Sequence, residues 1–435
     1  TIKGTGTVRS NMGGVVNYPG ATATIDNGSY FSTGWYTIKN MGVMTINNMS
    51  FANDVNNGSS LVANGFYGNK ANDKDQTYNS SKPVKLTING GTFQNKNNSC
   101  NVIKNDDGGE LIINGGTFNA KSDATDNANP VVMNWHKATI NGGTFISDKG
   151  VVLSNGNYGG YPEDVGEMTI NGGTFNGTNY VFGLNGGAAT NKGKVTITGG
   201  TFNATMHTTA RYENKYEFEV KGGIFNNIPT TAEGYDTYKI GDKYYVLTAQ
   251  PNIEGYTFLR LKVGEAEDLE IILDDEQLNG LLEYEIMDNE TALDGPDGEY
   301  FKDSLNDKAA TVKNGIVTAV EPGVAFVYTT LSDAKGEVVT DLLTIVSVYD
   351  ITPDDSASEA DKVANDALLK VLDDIYECES YEEYLEVLEN AGITEDEMDM
   401  IWEAMEEGAE ITTEVVAEPL EEPAEEDVKL IGEKV

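Results

Sequence analysis

Residues Leu86 to Phe93 read Leu-Thr-Ile-Asn-Gly-Gly-Thr-Phe, and this eight-residue phrase returns throughout the first half of the chain. Leu111–Phe118 is LIINGGTF, Ala138–Phe145 is ATINGGTF, Met168–Phe175 is MTINGGTF and Val195–Phe202 is VTITGGTF. Weaker copies stand at Ala23–Tyr30 (ATIDNGSY), Met44–Phe51 (MTINNMSF) and Phe218–Phe225 (FEVKGGIF). Their closing aromatics fall at 30, 51, 93, 118, 145, 175, 202 and 225, so most intervals run from 21 to 30 residues. A repeat of that length is about one coil of a β-solenoid. The one interval of 42 residues contains the Gly- and Asn-rich stretch Gly65–Pro83, expected as a loop thrown out of a coil.

Each copy has the chemistry of strand, corner and strand. Period-2 alternation puts Leu86 and Ile88 inward and Thr87 outward. Asn89-Gly90-Gly91 supplies residues that tolerate positive φ, and Phe93 then points inward on the next side. A further strand ending in Asn recurs in each coil, at Val15–Asn17, Thr37–Asn40, Leu61–Asn64, Val102–Asn105, Val131–Asn134, Val152–Asn155 and Phe182–Asn185. Stacking such coils predicts an Ile stack, a Phe stack and ladders of Asn at the corners. Variable coil length points to a right-handed parallel β-helix of about eight coils over residues 1–250. Thr1–Val8 already reads like a repeat, so a preceding segment or a docked partner is expected at that end, because an open solenoid end needs cover. At the other end, Tyr238–Leu247 reads as a hairpin turning at Gly241-Asp242 and capping the last coil.

Charge divides the chain. Up to Gln250 there are 19 Lys+Arg against 19 Asp+Glu; from Pro251 onward there are 10 against 51, so the whole net charge of −41 lies in the second part. Such an acidic balance argues against nucleic-acid partners and favours solubility. No run of about 18 apolar residues exists to span a membrane, and no charged-then-apolar leader opens the chain. Cys100 and Cys378 lie in different regions and are read as free thiols.

Residues 251–351 carry short strands and frequent turn signals, the pattern of a β-sandwich. Strands are expected at Thr257–Val263, Leu269–Leu273, Leu281–Met287, Ala310–Val312, Ile316–Val320, Val324–Thr330 and Asp341–Val348. Within them, Ala309–Phe326 (AATVKNGIVTAVEPGVAF, running on to Val327) joins strand, Asn-Gly turn, VTAV strand, Pro-Gly turn and strand. This stretch resembles the group 2 bacterial immunoglobulin-like domain, a family of bacterial surface and phage virion proteins. Residues 352–408 predict a three-helix mini-bundle, over Asp361–Glu377, from the capping box Ser380/Glu383 to Gly392, and from Thr394/Glu397 to Gly408. Residues 409–435 read as an acidic extended tail. The fold expected is therefore mainly β: a right-handed parallel β-helix, an immunoglobulin-like β-sandwich, then a small α-helical bundle with an acidic tail.

Right-handed β-helices host polysaccharide lyases and hydrolases, whose sites group carboxylates on one face, with a cation for sugar acids. The repeat region has only Arg9 and Arg211 as arginines, and His136 and His207 are its histidines. Its coil-edge acids, Asp106-Asp107, Asp123 with Asp126 and Glu163-Asp164, do not recur at the coil spacing. No catalytic residues are assigned, and no cofactor. The loop Asp294–Glu299 (DGPDGE) offers oxygen ligands for Ca²⁺ without the spacing of a known calcium loop, and reads first as a turn. Aromatic rings near coil edges stack on sugars or on protein partners, which makes Trp35, Trp135, Tyr158 and Tyr161 the candidate ligand-binding residues. Tyr36 and Trp135 equally suit packing against a neighbouring coil.

The GGTF coils, the GGIF coil and the Tyr-rich hairpin look like repeats of gut bacterial surface proteins and of phages infecting such bacteria. The resemblance implies a non-enzymatic, extracellular display or adhesion protein, as a virion fibre, a capsid or tail decoration, or a cell-wall adhesin. It implies a host-surface glycan or protein as ligand and other virion or cell-envelope proteins as neighbours. A homotrimer is common among phage β-helices. A β-helix polysaccharide lyase or hydrolase with accessory domains is the alternative.

Overall fold

The computed structural model describes residues 1–350 except 12, 54–59, 67–81, 96–100, 107, 121–129, 149, 157–165, 179, 184–192, 207–215 and 295–297; beyond these it describes 371, 375, 381–394 and 398. The chain divides into two compact units, Thr1–Gln250 and Pro251–Val435.

The first unit is mainly β, with its strands stacked in three parallel sheets that the chain visits in rotation. Sheet A takes the TI-type strands: Thr22–Ile25, Val43–Ile46, Val84–Ile88, Gly109–Ile113, Lys137–Ile140, Glu167–Ile170, Gly193–Ile197 and Tyr216–Val220. Sheet B takes the TF-type strands, from Thr7–Ser10 through Thr92–Asn95 and Thr144–Ser147 to Gly223–Phe225. Sheet C takes the Asn-terminated strands from Val15–Asn17 to Val151–Asn155 and then Tyr180–Phe182; Asn185, expected to close that strand, lies outside the described residues. This rotation is a solenoid-like coil with three sides.

Register converts the sequence repeat into columns of identical side chains. Ile25, Ile46, Ile88, Ile113, Ile140, Ile170 and Ile197 align along sheet A, all fully buried. On sheet B, the rings of Phe93, Phe118, Phe145, Phe175, Phe202 and Phe225 stack with centroids 4.7–4.9 Å apart and planes within 16°. That spacing equals the distance between paired strands, so one residue type suits every rung. Burying each ring stabilises by roughly 1.5–3 kcal/mol before entropy is set against it.

The two corner glycines serve different needs. The second holds a positive φ throughout, +116° at Gly91 and +109° at Gly143. The first sits so close to the previous coil that a Cβ on Gly142 would lie 2.8 Å from the Asn114 carbonyl oxygen. In these coils neither position admits a side chain without movement, which explains the Gly-Gly shared by the six copies from Leu86 onward.

A buried Asn ladder runs beside sheet C. Asn17, Asn40, Asn64, Asn105 and Asn134 each donate through Nδ2 to the Oδ1 of the next rung, ending at Asn155, over 2.7–2.8 Å. The same amides donate to carbonyls at the turn into sheet A, such as Asn105 Nδ2 to Gly109 O at 2.7 Å. Among the described residues the ladder reaches Asn155, where the Tyr216 hydroxyl accepts from the Asn155 backbone N–H at 3.2 Å and donates to the Gly183 carbonyl. At the far end, Tyr235–Ile240 and Lys243–Thr248 form an antiparallel hairpin that extends sheet B beyond Gly223–Phe225, with Val246 joining the core. Gly241 turns it at φ +64°.

In the second unit, Phe258–Lys262, Val338–Tyr349, Gly323–Ser332 and Leu282–Ile286 form a four-stranded sheet in that order, the first pair parallel and the rest antiparallel. Ala266–Asp268, Ile316–Ala319 and Ala310–Lys313 form an antiparallel three-stranded sheet. The core draws Leu259, Leu261, Val327, Val346 and Val348 from one and Ala310, Val317 and Ala319 from the other. Asn314 (φ 53°) and Gly315 (φ 82°) make the two-residue hairpin turn that their sequence prescribes. The strand expected at Leu269–Leu273 is broken, because Glu270 adopts φ 48° with its N–H donated to Asp268 Oδ1; only Ile272–Leu273 pairs there. Of the helical region, Tyr381–Ala391 is described as a helix, followed by Gly392 at φ +71° and closed by Ile393 N–H to Leu388 O. Most of the helices expected at Asp361–Glu377 and after Thr394, and the tail 409–435, lie outside the described residues.

Candidate binding faces

The same alternation that buries Leu86 and Ile88 points Lys85 and Thr87 away from the core, and this recurs on every strand of sheet A. One outward row runs Lys85, Glu110, Lys137, Glu167, Lys194, Glu217, each in register with the next. The sign alternates at each coil. Beside it runs a second row, Thr24, Thr45, Thr87, Ile112, Thr139, Thr169, Thr196 and Glu219. Lys85 Nζ and Glu110 Oε1 pair at 3.0 Å, while Lys137, Glu167, Lys194 and Glu217 are exposed and make no ion pair among the described residues. At the end of the face, Lys221 pairs with Glu219 at 2.7 Å; their hydrogen bond and mutual charge lower the Glu219 carboxyl pKa and raise that of Lys221.

Sequence reasoning weighs only the coil-edge acids and misses these glutamates, whose row still stacks no carboxylate on another. Glu110, Glu167 and Glu217 occupy one row at every second coil, with lysine in the coils between. The arrangement separates carboxylates with ammonium groups. In-register parallel stacking would otherwise put like charges on adjacent strands, which is destabilising.

The corner between sheets A and B carries a second, exposed ladder. Asn47 donates to Asp26, Asn89 to Asn47, Asn114 to Asn89, Asn141 to Asn114 and Asn171 to Asn141, over 2.5–2.8 Å, and Thr198 Oγ1 continues it to Asn171. Each rung uses one amide hydrogen and one oxygen lone pair in the ladder, leaving the others to solvent.

A buried charge cluster lies on sheet C. Lys39 and Lys104 occupy the same outward position in Ile-Lys-Asn strands, and both reach Asp106, at 3.5 Å and 2.8 Å. All three side chains are buried. Lys104 Nζ also lies 4.1 Å above the Trp135 ring, and Lys39 Nζ 5.2 Å above that of Tyr36, which adds cation–π attraction.

The four aromatic candidates separate. Trp35 is 61% exposed. Trp135 is only 7% exposed and packs under Lys104, so its ring face is occupied and is not offered to a ligand, a correction to the edge-site reading. Tyr158 and Tyr161 lie outside the described residues, as do Cys100, Cys378, His207, Arg211, Asp107, Asp123, Asp126, Glu163, Asp164 and residues 295–297 of the calcium-loop candidate. His136 is exposed, and the Arg9 guanidinium lies 4.5 Å above the Phe31 ring. Among the described residues, no three His, Cys, Asp or Glu side chains come together as a metal site, and no helix is long and apolar enough to cross a membrane.

No protein-family model matches the chain, and neither the curated proteins nor the solved structures give a match.

Proposed function

We propose that this chain is a non-enzymatic surface display or adhesion protein. Its first unit is read as a right-handed parallel β-helix that presents loops and regular faces to a host-surface glycan or protein. The acidic second part anchors or docks it, as in a virion fibre, a capsid or tail decoration, or a cell-wall adhesin. The observation that carries this reading is the outward face of sheet A. Its strands commit every inward side chain to the core, and its outward charges alternate in sign coil by coil rather than grouping carboxylates as polysaccharide cleavage requires. A rigid, repetitive platform of this kind suits recognition over an extended surface. The Asn-Gly hairpin at Ala310–Ala319, followed by Gly323–Ser332, supports the reading of the second unit as a group 2 immunoglobulin-like spacer.

The test is to incubate the purified chain with pectin, other acidic glycans and intact gut bacterial cells. Retention on a glycan or cell surface without release of reducing or unsaturated ends is expected. Release of such ends would establish the polysaccharide-cleaving alternative. Mass analysis of virions against cell-wall fractions separates the phage from the bacterial setting.

A further inference from the structure

We propose that the outward face of sheet A is a self-complementary docking surface that takes a second copy of this chain in antiparallel orientation. The argument rests on the order of charge along one row. Lys85, Glu110, Lys137, Glu167, Lys194 and Glu217 form an even-numbered alternating series. An alternating row of even length, turned end for end, meets its own copy with opposite charges at every rung.

A two-fold axis parallel to the strands, passing between the Lys137 and Glu167 rungs, generates that arrangement. It sets Lys85 opposite Glu217 of the second copy, Glu110 opposite Lys194 and Lys137 opposite Glu167, each pairing occurring twice. The neighbouring row then places Thr139 against Thr169 and Ile112 against Thr196. A residue that meets j on the partner is met by j in return, as an isologous dimer requires. A parallel arrangement in the same register would set every charge against its own kind.

Pairing within the chain does not exhaust these charges. Lys85 and Glu110 form an ion pair, but Lys137, Glu167, Lys194 and Glu217 make none among the described residues, although each has an opposite charge on the adjacent strand. Their exposure leaves them able to reach across an interface. The first unit carries no net charge, so copies meet at this face without repulsion between the units themselves. Antiparallel order also sends the two chains out of their ladders at opposite ends. Six rungs at about 4.8 Å spacing make a patch roughly 24 Å long, so the interface falls at the small, transient end of the range. Displayed at high density on a particle or cell, a weak lateral contact of this kind is multiplied by local concentration.

Sedimentation analysis of the full chain, up to several hundred micromolar in 0.1 M NaCl, tests the proposal. A reversible monomer–dimer equilibrium is expected, shifting to monomer at 1 M NaCl, where the screening length falls to about 3 Å. Lys137→Glu and Glu167→Lys, made separately, each weaken self-association at least about tenfold, because each sets like charges against one another across the two-fold axis (a tenfold change is about 1.4 kcal/mol). Mixing the two variants restores dimers, since Glu at 137 and Glu at 167 on one copy then meet two lysines on the other. Exclusive monomer at low salt, even if it binds glycan, overturns the proposal. So does self-association that neither variant changes, or a mixture that associates no better than its components.

Discussion

Asn64 donates its side-chain amide to Oδ1 of Asn105, 2.7 Å away and 41 residues further along the chain. Both residues are fully buried, and Asn105 passes the pattern on to Asn134, Gly109 O and Lys137 O. Replacing Asn105 with Ala therefore strips partners from two ladder neighbours and two carbonyls. Denaturant unfolding should show a loss of about 2–4 kcal/mol, the usual cost of leaving several buried polar groups unsatisfied.

The corner glycines give a paired prediction. Gly142→Ala forces a Cβ to within 2.8 Å of the Asn114 carbonyl oxygen and should destabilise the fold by about 2 kcal/mol or more. Gly156→Ala introduces a methyl with no atom of the described residues within 4 Å and has no positive φ to satisfy, so its effect should stay within about 1 kcal/mol. Thermal unfolding of the two variants side by side checks the contrast.

Asp106 lies within 3.5 Å of two buried ammonium groups, those of Lys39 and Lys104. Asp106→Ala should cost about 3–5 kcal/mol, because removing the shared carboxylate leaves buried positive charge without it. Changing Lys104 to Met keeps much of the packing and removes one of the charges, so it should be milder. Unfolding free energies of both variants give the comparison.

The two tryptophans of the first unit should behave oppositely. Trp135→Ala empties a buried position beneath Lys104 and should cost about 3–5 kcal/mol of stability. Trp35→Ala, at an exposed site, should leave unfolding within about 0.5 kcal/mol of wild type while reducing retention on glycan or cell surfaces. Binding unchanged by Trp35→Ala would remove that ring from the contact.

Much of the first unit was legible in its sequence because a coil stacked in register repeats its chemistry at every turn. Leu86, Ile88 and Phe93 are buried and Thr87 faces outward, as alternation dictates, and the Asn residues that close the sheet C strands from Asn17 to Asn155 do form a ladder. The Lys–Glu row was present in the letters preceding the six copies from Leu86 onward, yet its meaning needs the register: alternating signs become a face only when consecutive copies are known to be neighbours. Lys39 and Asp106 are 67 residues apart, and no local pattern joins them. Trp135, adjacent to the exposed His136, looked like an edge residue; a Lys104 ammonium from the previous coil covers it. In the second unit, Glu270 broke an expected strand through a local Asp268 hydrogen bond that overrides the apolar pattern of its neighbours.

The central claim is that residues 1–250 wind as consecutive coils whose faces rise by one strand spacing per repeat. Pulsed electron–electron distance measurement tests it directly, with one nitroxide at Thr24 and the second moved from Thr139 to Thr169 to Thr196. These positions lie four, five and six rungs along one outward row. The Cα separations should increase evenly, about 19, 24 and 29 Å, at about 4.8 Å per rung, although the labels are separated by more than a hundred residues of chain. Distances that fail to rise by one strand spacing per coil, or that spread without a defined maximum, would contradict the stacked-coil account and the binding faces built on it.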